Sequence, residues 1–108
     1  MTQSSLLGGF EHLVLLALAS FPERAEGMDI YDRLVLTTGR DVSVPAVYVT
    51  LKRLEQRGLV WSGAGTEEGR SRSRKVFRLE GDGVRALREY RQATDSLWAE
   101  SRLEELGR

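Results

Sequence analysis

Between Ser43 and Val60 the chain spells out a short helix with both of its ends marked. Ser43 is a good N-cap, and Pro45 falls in the first turn, where its missing N–H has no helical partner to lose. Val42 before the cap and Val47 one turn inside it are spaced for a hydrophobic staple. Gly58 supplies a left-handed stop, and Leu59 beyond it can touch Leu54, the contact that accompanies a Schellman end. At 3.6 residues per turn Val44, Val47, Leu51 and Leu54 share one face. Pro45, Ala46, Val49, Lys52, Arg53 and Gln56 fall on the other, with Tyr48 at the boundary. One apolar stripe, with small and cationic residues turned outward, suits a helix that enters a DNA major groove. A merely solvated helix carries the same pattern, so periodicity alone leaves both readings open.

The flanking sequence narrows the choice. A helix is predicted from Met28 to Thr38, with Ile30, Tyr31 and Leu34 inward and Gly39 closing it. Arg40-Asp41-Val42 then makes the brief turn of a helix-turn-helix. After Gly58 the period changes. Leu59–Ser62 and Lys75–Leu79 read as strands, joined by a Gly/Ser/Arg loop with no apolar residue larger than alanine. Phe77 and Leu79 point one way and Arg74 and Arg78 the other. The expected fold is mainly α with a small β-hairpin: a winged helix-turn-helix over residues 1–80.

Formal charge sums to zero but is unevenly spread. Residues 40–79 carry nine basic and four acidic side chains, against two and five before them and five and seven after. A phosphate backbone responds to that local excess and not to the total.

Two further helices are expected. The first, over residues 7–20, is apolar around much of its girth, which calls for burial on more than one side. The last runs from Asp82 to about Glu105, with Val84, Leu87, Tyr90, Thr94, Leu97 and Trp98 in one stripe. A long helix with one apolar stripe is marginal alone. Residues 81–108 are therefore read as a C-terminal dimerisation helix that packs with helix 7–20 and with its symmetry mate.

Several classes of function find no support. The chain has 108 residues and no cysteine, and its single histidine, His12, makes no credible metal centre. No Ser-His-Asp arrangement with supporting glycines appears, so no enzyme activity and no cofactor are expected. The apolar run from Leu6 to Phe21 is interrupted and too short to span a bilayer, which gives the expectation of a cytoplasmic protein without membrane contact.

Read in order, Leu6-Leu7-Gly8, Val14–Leu18, Gly27-Met28-Asp29-Ile30-Tyr31, Ser43–Tyr48 with Leu51–Val60, Gly69–Arg72, Lys75–Leu79 and Gly83 resemble the PadR-like transcriptional regulators, in the compact subgroup with a single C-terminal dimerisation helix. The block pairing Val47-Tyr48 with Leu51-Lys52-Arg53-Leu54-Glu55 is specific; the rest is supportive. The resemblance implies a homodimeric repressor on a palindromic double-stranded operator, released by a small molecule or another signal. It makes Ser43–Arg57 the recognition helix and gives Tyr48 the place of the family's operator-contacting tyrosine. It also implies that Trp98 stands where an aromatic lines an intersubunit pocket for planar aromatic effectors, although packing alone explains a tryptophan there. Two positions depart from the family pattern: Met28 replaces an aromatic, and Glu80 replaces a capping threonine, leaving Asp82 as the expected cap.

On this reading Arg70, Arg72, Arg74, Lys75 and Arg78 of the wing, with Lys52 and Arg57, hold phosphates. Base edges fall to the first turns of the recognition helix, opened by Ser43. Arg53 and Lys52 suit guanine, and Val49, Ala46 and Pro45 suit thymine methyls. DNA shape supplies part of the specificity. The alternative function is a winged-helix module that binds protein, which would more often expose an apolar patch where this chain is cationic.

Overall fold

A computed structural model describes residues 7–65 and 74–107. In chain order these form α1 (Gly9–Ala19), β1 (Ala25–Glu26), α2 (Gly27–Thr38), α3 (Val44–Gln56), β2 (Val60–Gly65), β3 (Arg74–Leu79), α4 (Gly81–Glu100) and α5 (Leu103–Leu106). The strands make one antiparallel sheet in the order β1-β3-β2. β2 and β3 pair from Val60↔Leu79 to Gly65↔Arg74, the expected hairpin. The third strand was not foreseen: Ala25 and Glu26 pair with Phe77 and Val76. Two residues are too few to display the alternation that marks a strand.

One apolar core joins the three helices to the sheet. Val14, Leu15 and Leu18 of α1, Ile30 of α2, Val47, Leu51 and Leu54 of α3, and Phe77 of β3 are sealed from solvent. α2 ends as expected on Gly39, in the left-handed region. α1 is shorter than residues 7–20. Its N-cap is Gly8, whose amide donates to Glu11 Oε1 at 2.9 Å. At its other end the Ser20 hydroxyl donates to the Ala17 carbonyl at 2.6 Å and turns the chain.

The last helix differs from expectation at both ends. Its N-cap is Glu80, with no side-chain cap bond. Asp82 is not the cap: it lies in the first turn and pairs with Arg85 at 2.6 Å. The start is fixed by the backbone instead, with the Glu80 amide donating to the Leu59 carbonyl at 3.0 Å. Gly83 packs so closely there that a Cβ would stand within 3.0 Å of the Leu59 carbonyl oxygen. The helix stops at Glu100 and does not continue to Glu105. Ser101 is extended, and its amide and hydroxyl both donate to the Trp98 carbonyl, at 3.1 and 2.8 Å. A serine that turns on the backbone in this way ends the helix, and Leu103–Leu106 form a separate short turn.

Candidate nucleic-acid interface

α3 is built as its end signals dictate. The Ser43 hydroxyl oxygen accepts from the Ala46 amide at 3.2 Å. At the other end Gly58 has φ of 77°, its amide donates to the Glu55 carbonyl at 2.9 Å, and the Leu59 amide donates to the Leu54 carbonyl at 3.0 Å. These two bonds are the Schellman pair. Val47, Leu51 and Leu54 face the core together with Thr50, a buried residue that the apolar stripe omits. Val44 and Ala46 are half-buried, while Ser43 and Pro45 are exposed. Opposite the core the helix presents Val49, 56% exposed, beside Lys52 and Arg53. Neither cation is paired with a described residue, so both charges are available to an incoming anion.

Other cations assigned to phosphate also contact the protein itself. Arg57 turns back to α1, its Nη1 donating to Glu11 Oε1 at 2.9 Å. Lys75 lies 3.9 Å from Glu55 of α3, whose other carboxylate oxygen accepts from Ser62 at 2.7 Å. The base of the wing is thereby fixed against α3. Arg78 covers the Trp61 ring at 4.5 Å, a cation–π pair across the β2–β3 ladder. Arg78 and Lys75 remain exposed. Arg74 opens β3 opposite Gly65, whereas Arg70 and Arg72 lie outside the described residues.

Tyr48 is 39% exposed, and its ring lies over Gly27 at the start of α2. The expected boundary position is therefore a contact between the two helices of the helix-turn-helix.

Behind α3, His12 of α1 and Tyr90 of α4 stack with ring centroids 3.8 Å apart and planes 9° from parallel. Burial lowers the His12 pKa below its usual value. The pair borders a cavity of about 650 Å³ that also touches Arg40, Val42, Ser43 and Ala46 at the start of α3. Sequence reasoning missed this pair, because nothing local links two aromatics so far apart in the chain. Farther along α4, Leu97 and Trp98 are 70% and 64% exposed in the single chain. Among the described residues no three His, Asp or Glu side chains gather as a metal site, and no helix is long and apolar enough to cross a membrane.

The family model described as the transcriptional regulator PadR-like family matches residues 15–89. Among solved structures, a PadR family transcription regulator from Clostridium difficile aligns with a TM-score of 0.75 at 20% identity, over 92% of this chain and 98% of that one. A PadR family transcriptional regulator from Eggerthella lenta aligns with a TM-score of 0.67 at 28% identity, over 82% and 76%. BpsR of Bordetella bronchiseptica, whose DNA binding is regulated by 6-hydroxynicotinic acid, aligns with a TM-score of 0.65 at 17% identity, over 92% and 67%. No curated protein matches the sequence.

Proposed function

The chain belongs to the PadR-like family of transcriptional regulators, and from that premise we propose that it represses transcription by binding a palindromic operator as a homodimer. The observation that carries this reading is the outer face of α3, where Val49, Lys52 and Arg53 stand exposed together on the second helix of a helix-turn-helix. In the major groove Arg53 and Lys52 meet guanine edges, and Pro45, Ala46 and Val49 meet thymine methyls. Ser43 and Tyr48 flank this reading surface. The wing arginines Arg70, Arg72, Arg74 and Arg78, with Lys75, hold neighbouring phosphates.

Two-fold pairing would join α4 and α1 of one copy to those of another and cover Leu97 and Trp98, which the single chain leaves in water. Residues 1–80 then serve as the DNA-binding unit and 81–108 as the dimerisation unit. Release from DNA follows from a small molecule or another signal. A planar aromatic compound stacked on Trp98 between subunits is the effector that the exposed indole favours. That 6-hydroxynicotinic acid regulates DNA binding by BpsR, a protein of similar fold, supports control by a small molecule.

The test is binding to duplexes that the protein itself selects from a randomised pool, measured across a salt series. Arg72→Ala is expected to weaken selected and mixed-sequence duplexes alike and to lower the salt slope by about 0.9. Val49→Ala should instead cost roughly 1 kcal/mol at particular base pairs only. Absence of any duplex binding by the unaltered protein at low ionic strength overturns the reading.

A further inference from the structure

Gly27 is the meeting point of three elements. It follows Glu26, which pairs with Val76 at the base of the wing, and it opens α2. The outer end of Tyr48, from the second turn of α3, rests on it. A Cβ built on Gly27 would stand within 3.0 Å of the Tyr48 ring carbons and of its hydroxyl oxygen, closer than real Cβ atoms approach. No other side chain at this position leaves the phenol where it is. Gly27 is buried, and its φ is not in the left-handed region, so the requirement is for space and not for backbone freedom.

We propose that Gly27 is a positioning residue for DNA binding: the absence of a side chain there seats the Tyr48 ring and fixes its hydroxyl beside the reading face of α3. The proposal rests on the DNA-binding reading above and adds a residue that does not itself touch DNA. Three features support it. Tyr48 is only partly exposed, so the ring has one packed side and one open side. Its packed side meets the residue that immediately follows β1, which ties the recognition helix to the strand bonded to β3 of the wing. Finally, the atoms that an added methyl would strike are the far end of a side chain with two torsions, so the phenol moves before the backbone does. Gly27→Ala is thus a displacement of Tyr48 in a chain that keeps its fold.

The experiment is a double-mutant cycle on the full-length chain with Gly27→Ala, Tyr48→Ala and the pair combined. Each variant is titrated against a duplex selected by the unaltered protein and against a mixed-sequence duplex, with a thermal melt alongside. Gly27→Ala is expected to weaken the selected duplex about tenfold, and the double variant to bind no worse than Tyr48→Ala, as coupled neighbours do. A purely structural glycine would lower the melting midpoint and weaken both duplexes by one factor; a seat for Tyr48 lowers affinity for the selected duplex and spares the mixed one. Unchanged binding by Gly27→Ala, or a further tenfold loss when it is added to Tyr48→Ala, overturns the proposal. If Gly27→Ala alone does not fold, the comparison of the double variant with Tyr48→Ala still decides it in the same way. Failure of the unaltered protein to bind any duplex is a different result, which removes the DNA reading and the proposal with it.

Discussion

Leu15, Leu51 and Leu54 in the winged-helix body have no contact with solvent, whereas Leu97, Trp98, Leu103 and Leu106 along the distal part of α4 and α5 stand in it. The two regions are similar in sequence texture, since each sets an apolar stripe among charged residues. They differ in what meets the stripe. In the body, α1, α2, α3 and the sheet close on one another within a single chain. Along α4 the stripe starts the same way, with Leu87 and Tyr90 against the core, and then runs on past the last element that can cover it. Periodicity therefore reports that a face will be buried, and only the three-dimensional arrangement says whether the chain can bury it alone.

The contrast can be broken most forcefully in the body. Leu51→Ala removes a fully enclosed side chain and is expected to cost about 2–5 kcal/mol in thermal or denaturant unfolding, at any protein concentration. An effect under about 1 kcal/mol would mean that the body is not held by this core. In the distal region, Leu97→Asp should leave the secondary structure intact and raise the dimer dissociation constant on the order of 30-fold in sedimentation equilibrium. If the unaltered chain is monomeric there, the exposed stripe has some other partner. The smallest effect belongs to the seam between the regions. Burial holds His12 below its ordinary value of 6.5, so as acid is added the folded chain takes up fewer protons than the unfolded one. The contribution is whole above about pH 6.5 and is lost as the pH falls below it. His12→Phe, which keeps a ring against Tyr90, should remove this part of the pH dependence of the melting midpoint; an identical pH profile in the variant would show that the acid sensitivity arises elsewhere.

How much of this was legible in the sequence depends on how local each signal is. Ser43, Pro45 and Gly58 act on backbone groups within one turn of themselves, and α3 lies where they place it. The hairpin register follows from strands that are adjacent in the chain. β1 escaped notice because its reason for being extended is Phe77, which pairs with Ala25 from 52 residues farther along the chain. Thr50 is a polar residue held inside by its neighbours on α3, which a stripe drawn through Val47 and Leu51 passes over. The end of α4 was placed too late, since Ser101 reads as an ordinary helical residue until its hydroxyl and amide are seen to turn on Trp98. For the candidate interface, Val49, Lys52 and Arg53 were read correctly as outward-facing from spacing alone. The pairing of Arg57 was not legible, because Glu11, which holds it, belongs to another helix.

That carboxylate has a mechanical meaning. One oxygen of Glu11 receives both the amide that starts α1 and the guanidinium that closes α3. A rotation or slide of the first helix must either part the Arg57–Glu11 bond or drag the far end of α3 along with it. The molecule thus contains a short tie-rod between α1 and α3: a single 2.9 Å hydrogen bond, anchored on a carboxylate that the start of α1 itself holds in place.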